Sequence, residues 1–217
     1  MDDRGLVARA RAGDLAAADE LLARHQRTAY TAALRLLGAP ADAEDVAQEA
    51  LVRAFTHLAE LHAGADFAPW LRRIAVNLSL NVLRRRGRIR FESLDAPPPA
   101  ARGEGGAAAR PEPADEGQRT PEEAALGAAE WGRLEGVLRR LPDEQRVAVV
   151  LRDVYGYDLA EVAALQRCGL SAAKMRVSRG RAALRRLLRE AGPAAGGPAA
   201  AGSGGEPGDI PGSGAAV

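Results

Sequence analysis

The chain has 217 residues, 47% of them hydrophobic, one cysteine, and 30 Lys+Arg against 29 Asp+Glu for a formal net charge of +1. This length admits one or two domains, and the lone Cys168 excludes an intramolecular disulfide. Aromatics at 4% and few β-branched residues disfavour sheets, whereas runs of Ala, Leu, Arg and Glu favour helices, so the expected fold is all-α, in two small helical domains joined by a flexible linker.

The near-neutral total hides a split. Asp14 to Glu60 carries eight acids against four arginines, whereas Phe67 to Phe91 carries seven arginines and no acid. In chain order, Gly5 to Gly13 predicts a short helix, and Asp14 then caps a longer one with apolar positions Leu15, Leu22, Ala29, Ala33 and Leu36. Gly38-Ala39-Pro40 stops it. A third helix is expected from Asp42, where Asp42, Glu44 and Asp45 place negative charge at the positive end of the helix dipole, with Val46, Ala50, Phe55 and Leu58 as its apolar face. After the loop Glu60 to Asp66, Pro69 falls in the first turn of a fourth helix, which buries Leu71, Ile74, Leu78 and Val82 and ends near Gly87. These four helices form a first domain over 1–91.

Residues 92–120 contain Pro97-Pro98-Pro99, Gly105-Gly106, Pro111 and Pro113, with six acids against three arginines, and read as an extended acidic linker. Helical pattern returns at Pro121 and runs through Arg140, breaks at Leu141-Pro142, and resumes from Asp143 to about Val154. A short helix from Asp158 to Gln166, a turn at Arg167-Cys168-Gly169 and a long helix from about Leu170 to Glu190 form a helix-turn-helix candidate, making 121–190 the second domain. The last helix carries Lys174, the one lysine of the chain, with Arg176, Arg179, Arg181, Arg185, Arg186 and Arg189. The tail 191–217 is Gly, Pro, Ala and Ser with little charge, and no function is assigned to it.

Met1-Asp2-Asp3 opens without the basic and apolar regions of a signal peptide, and no apolar run reaches membrane-spanning length, so a cytoplasmic protein without membrane insertion is expected. His25, His57 and His62 show no ligand spacing, and neither a phosphate loop nor a nucleophile elbow is present. No metal, cofactor or catalytic residue is therefore expected, and the chain does not read as an enzyme. Arginines set among aromatic and apolar residues on a helix suit nucleic acid, since cations displace counterions from phosphates while aromatic rings stack on exposed bases.

Two segments carry a resemblance: Asp42-Ala43-Glu44-Asp45-Val46-Ala47-Gln48-Glu49-Ala50-Leu51-Val52-Arg53-Ala54-Phe55, and Phe67-Ala68-Pro69-Trp70-Leu71-Arg72-Arg73-Ile74-Ala75-Val76-Asn77. In this order and spacing they resemble the bacterial sigma-70 family, and the short two-domain layout resembles its extracytoplasmic-function branch. The second half matches more loosely, through Leu141-Pro142, Arg146, Gly156-Tyr157-Asp158-Leu159, Glu161-Val162-Ala163 and the Lys174 to Leu184 helix. The resemblance implies that Asp45, Gln48, Glu49 and Arg53 contact core RNA polymerase. It implies that Leu61, His62, Phe67, Trp70, Arg73, Asn77, Asn81 and Arg84 serve the unpaired −10 strand of promoter DNA. It further implies that Ser171, Lys174, Met175, Arg176, Ser178 and Arg179 serve the −35 element, and that an anti-sigma factor is a partner.

The chain departs from the family pattern in the turn of the helix-turn-helix. Gln166-Arg167-Cys168-Gly169 stands where Leu-Gly, a small apolar residue and proline are usual, and Ser171-Ala172 stands for the usual Gly-Thr, so Arg167 must take a left-handed conformation. On the residues alone, Trp70 suits a core as well as a stacking platform, Arg84-Arg85-Arg86 suits an ordinary helix C-terminus, and Cys168 suits a small buried hydrophobe. A stand-alone helix-turn-helix regulator is the competing reading. Such a regulator has no need of the paired motifs in the first domain.

Overall fold

The computed structural model describes residues 2–62, 64–87 and 131–191. The linker expected over 92–120, the start of the helix expected from Pro121 and the tail beyond Ala191 lie outside the described residues. All regular structure among the described residues is helical, in two groups.

In the first group, α1 (Asp3–Arg11) is capped by Asp2, whose carboxylate accepts from Gly5 N at 3.1 Å. Asp14 caps α2 (Leu15–Leu37) in the same way through Ala17 N, and α2 ends at Gly38 in the left-handed region, φ 70°. The third helix, α3 (Pro40–Thr56), starts two residues earlier than the expected Asp42. Gly38 alone is the stop, and Pro40 opens the next helix, where its missing N–H leaves no bond unmade. Asp42, in the first turn, pairs instead with Arg86 beyond α4 (Phe67–Arg85).

The packing of α2 on α3 explains two further differences from the sequence reading. The buried face of α3 is Ala43, Val46, Ala47, Ala50 and Ala54, and it meets Ala29, Ala32, Ala33 and Leu36 of α2 in one core. Small side chains let two helices approach closely, so alanine takes the seam and the larger residues are left outside. Phe55, expected in the core, is 45% exposed, and Leu15, at the first turn of α2, is 67% exposed. Leu71, Leu78, Leu80 and Leu83 of α4 complete the core, with Ile74 and Val82 only partly buried.

The second group begins with a helix over 131–139, here α5, followed by the break at Leu141-Pro142. Then come α6 (Asp143–Val149), a π-helical turn (Val150–Val154), α7 (Leu159–Gln166) and α8 (Leu170–Glu190). Asp158 and Glu161 form a reciprocal capping box at the start of α7. Arg167 ends α7 at φ 48°, the left-handed conformation expected of it, and Cys168 beside it is half-buried. α8 crosses α6 so closely at Gly180 that a Cβ there would lie 2.6 Å from Val149 Cγ2 and 3.0 Å from Gln145 O.

The two groups touch. Arg146, 3% exposed, sends Nε to Leu36 O at 3.0 Å and Nη2 to Leu37 O at 3.2 Å, satisfying carbonyls that the end of α2 leaves without helical partners. Arg35 lies over the Trp131 ring at 4.5 Å, and Arg72 over Tyr155 at 5.5 Å.

Candidate nucleic-acid interface

On α3 the residues left in solvent include Asp45, Gln48, Glu49, Val52, Arg53 and Phe55. Glu49 accepts from Arg53 Nε at 2.7 Å across one helical turn, so these two charges are paired on the surface. Between α2 and α3 runs a shallow groove lined by Gln26, Arg27, Tyr30, Glu44, Gln48 and Leu51. Sequence reasoning named Gln48 from this face but not Arg27 or Tyr30, because α2 reads as a purely structural helix. It also missed Val52 and Phe55, whose spacing of four and seven from Gln48 gave the available signal. The four residues expected to meet polymerase share one solvent face with two exposed apolar side chains.

Of the eight residues expected at the −10 strand, the structure divides the set. Arg73, Asn77 and Asn81, each four residues apart on α4, are exposed in one stripe, and His62 is exposed in the preceding loop. Leu61 and Phe67 are not on the surface: they are 3% and 2% exposed, anchoring the two ends of the loop in the core beside Leu58. Apolar residues flanking a short loop fix its ends, which is why they turn inward. Trp70 is half-buried against Phe67, their rings 5.8 Å apart, and Phe67 in turn meets the His25 ring at 5.1 Å. Arg84 is half-buried, donating to Asn81 Oδ1 and, at 2.7 Å, to Leu165 O in α7. Burial, and after it the nearby Arg167 guanidinium, lowers the affinity of Arg84 for its proton.

The loop has a further partner that sequence reasoning missed. Arg11, the last residue of α1, donates Nε to Leu58 O at 3.0 Å and Nη2 to Leu61 O and, at 3.4 Å, to Ala59 O. These contacts span 47 to 50 residues of chain, so no local pattern announces them.

In the first half of α8 the exposed residues are Leu170, Ser171, Lys174, Met175, Ser178 and Arg179, spaced to fall on one face. Arg176 departs from the expectation. It is 9% exposed and points into the domain, where Nη1 donates to Gln166 Oε1 at 3.1 Å and Nη2 pairs with Glu144 at 3.3 Å. A residue one position from Met175 sits about 100° around the helix, and that rotation carries Arg176 toward α6 and α7. Beside the exposed face lies a groove lined by Arg152, Leu159, Lys174, Val177, Ser178 and Arg181. Arg181 is held there by Asp153, a hydrogen-bonded pair that raises the affinity of Arg181 for its proton.

Histidines and acids do not gather into a metal-binding cluster among the described residues: His25 Nε2 meets Asp3 at 2.6 Å and His57 Nδ1 meets Glu60 at 2.8 Å. No helix among the described residues is long and apolar enough to cross a membrane.

The chain matches two family models, sigma-70 region 2 over residues 21–89 and sigma-70 region 4 over residues 131–184. It is 37% identical over 174 residues to the ECF RNA polymerase sigma factor SigE of Mycolicibacterium smegmatis, covering 78% of this chain and 61% of that relative. It is 31% identical to the RNA polymerase sigma-H factor of Pseudomonas aeruginosa, covering 87% of this chain and 97% of that one. Among solved structures it is similar to CnrH in complex with the cytosolic domain of CnrY, with 25% identity, a TM-score of 0.47, and coverage of 87% and 97% of the respective chains. With both regions present in order and the sigma-H match running nearly end to end, the chain belongs to the sigma-70 family of RNA polymerase sigma factors, in its extracytoplasmic-function branch.

Proposed function

We propose that this sigma factor acts in the cytoplasm by docking α3 on core RNA polymerase, holding the opened −10 strand on α4 and its preceding loop, and reading the −35 element with α8. It performs no chemistry itself. The observation that carries this reading is the stripe Arg73, Asn77 and Asn81, exposed on a helix that carries no acid. Amide side chains in such a stripe offer donors and acceptors to base edges, while the guanidinium serves phosphate. Extruding a base costs a few kcal/mol of stacking, which contacts of this kind offset once the strand is open. On α8, Ser171, Lys174, Met175, Ser178 and Arg179 form the base-facing side, and Arg176 acts inside the domain instead. An anti-sigma factor is the regulatory partner expected for a chain of this family.

The test is transcription by core polymerase with the purified chain. Asp45→Arg with Glu49→Arg should abolish capture of core polymerase while shifting stability by under about 0.5 kcal/mol, as exposed substitutions usually do. Undiminished capture by that double variant, together with sequence-specific footprinting by the free chain, would favour a stand-alone regulator. Arg179→Ala should lower transcription from promoters with the preferred −35 sequence far more than from scrambled ones, by about 1–3 kcal/mol of discrimination.

A further inference from the structure

The loop between α3 and α4 is tied down from outside itself. Its first part is a single 3-10 turn, Leu58–Glu60, and so short a helix makes few bonds of its own. Among the described residues of the loop, the backbone bonds are Glu60 N to His57 O at 2.9 Å, Leu61 N to Leu58 O at 3.3 Å and Ala65 N to His62 O at 3.1 Å. A further partner comes from far away in sequence. Arg11 places one planar guanidinium against the carbonyls of Leu58, Ala59 and Leu61. The far end of the loop meets the same helix, where Arg4 pairs with Asp66 at 3.2 Å. Arg4 and Arg11 are seven residues, two helical turns, apart and so lie on one face of α1. Asp3 of the same helix meets His25, whose ring packs on Phe67 at the loop's end. Residues 1–20, which include all of α1, precede the segment matched by the region 2 family model.

We propose that Arg11 is a positioning residue for −10 recognition: from α1 it clamps the carbonyls of Leu58, Ala59 and Leu61 and so fixes the loop that presents His62 to the extruded base, with Arg4 steadying the opposite end through Asp66. Arg11 touches no DNA in this role. Arginine suits it because a rigid fork of donors reaches several carbonyls at once, whereas a lysine ammonium is a point on a flexible stem. The Arg4 and Asp66 pair is exposed and contributes less. The inference rests on the proposed role of this loop at the −10 element.

The test uses the full chain with core polymerase and templates that differ only in the −10 sequence. Arg11→Gln should leave capture of core polymerase and the thermal midpoint close to those of the unsubstituted chain. It should lower the ratio of transcription from matched over mismatched −10 templates by roughly fivefold or more, the order expected when one base contact loses its geometry. Amide exchange should accelerate in the loop and not in α2 or α3. Arg11→Lys should recover part of the ratio, and Arg4→Gln should lower it less than Arg11→Gln. An unchanged ratio in Arg11→Gln overturns the proposal, as does an equal loss on both templates, which marks a merely structural arginine. If the unsubstituted chain fails to discriminate between the templates, the reading of the loop itself falls, and that outcome is separate from either of these.

Discussion

The two helical regions solve the problem of a core differently. In the first, the buried set is apolar apart from Ser79, whose hydroxyl donates to Ala75 O of its own helix at 2.8 Å. In the second, Arg146, Gln166 and Arg176 are all buried. Gln166 donates to Glu144 O at 2.9 Å and accepts from Arg176, which also pairs with Glu144, so one polar chain ties α6, α7 and α8 together. A helix-turn-helix has little apolar surface to bury, and directional bonds then set the crossing angles that hydrophobic packing sets in the first region. The lesson is that basic residues on α8 are of two kinds, those that address solvent and those that hold the domain, and their identity alone does not distinguish them.

That contrast can be broken most directly at Arg176. Arg176→Ala removes the guanidinium bonds to Gln166 Oε1 and Glu144 and should destabilise the second region by about 3 kcal/mol, the low end for a broken buried pair because Glu144 is partly exposed. Urea unfolding followed by a probe in that region measures it, and a loss below about 0.5 kcal/mol would show that the polar chain does not hold the fold. Gly180→Ala comes next. The new methyl meets the Gln145 carbonyl, which cannot move without shifting α6, so a loss of about 2 kcal/mol is expected in the same region, with the first region unaffected.

Two smaller effects sharpen the first region's side of the comparison. Ser79→Ala should cost under about 1 kcal/mol, because the hydroxyl and its bond disappear together and Ala75 O keeps its helical acceptor role. A thermal melt that falls as far as that of Arg176→Ala would contradict the claim that this core is apolar in its energetics. Asp14 gives the smallest effect and only in acid. The Ala17 N–H, and after it the Arg9 side chain, hold its carboxyl below the ordinary 3.8. A folded-state value lowered in this way stabilises the fold above the ordinary value, and the contribution is lost as pH falls through the lower one. Asp14→Asn should therefore remove part of the acid sensitivity of the melting temperature while leaving the fold intact at neutral pH.

How far the sequence could be read depended on the range of the interaction. Caps and breaks are local, and Asp14, Pro69, Leu141-Pro142, Asp158 and the left-handed Arg167 all stand where their residue types and neighbours place them. Arg73, Asn77 and Asn81 were named through the family resemblance, and their spacing of four on α4 puts them in one exposed stripe. Periodicity was less informative where alanine dominated. It ranked Phe55 and Leu15 as core because they are large, while the α2 and α3 seam selected the small residues that let backbones approach.

Helical character among the described residues, its punctuation and the two paired motifs that mark the family could be read from the sequence, because each rests on backbone propensity and on spacing within a few turns. Only the tertiary structure decided that Arg176 turns inward, that Leu61 and Phe67 anchor the loop from within the core, and that Arg146 and Arg11 satisfy carbonyls in distant segments. A guanidinium carries the same charge whether it meets phosphate, a carboxylate or a row of carbonyls. Which of these it meets is fixed by how separate helices pack, and that information is not local to any stretch of the chain.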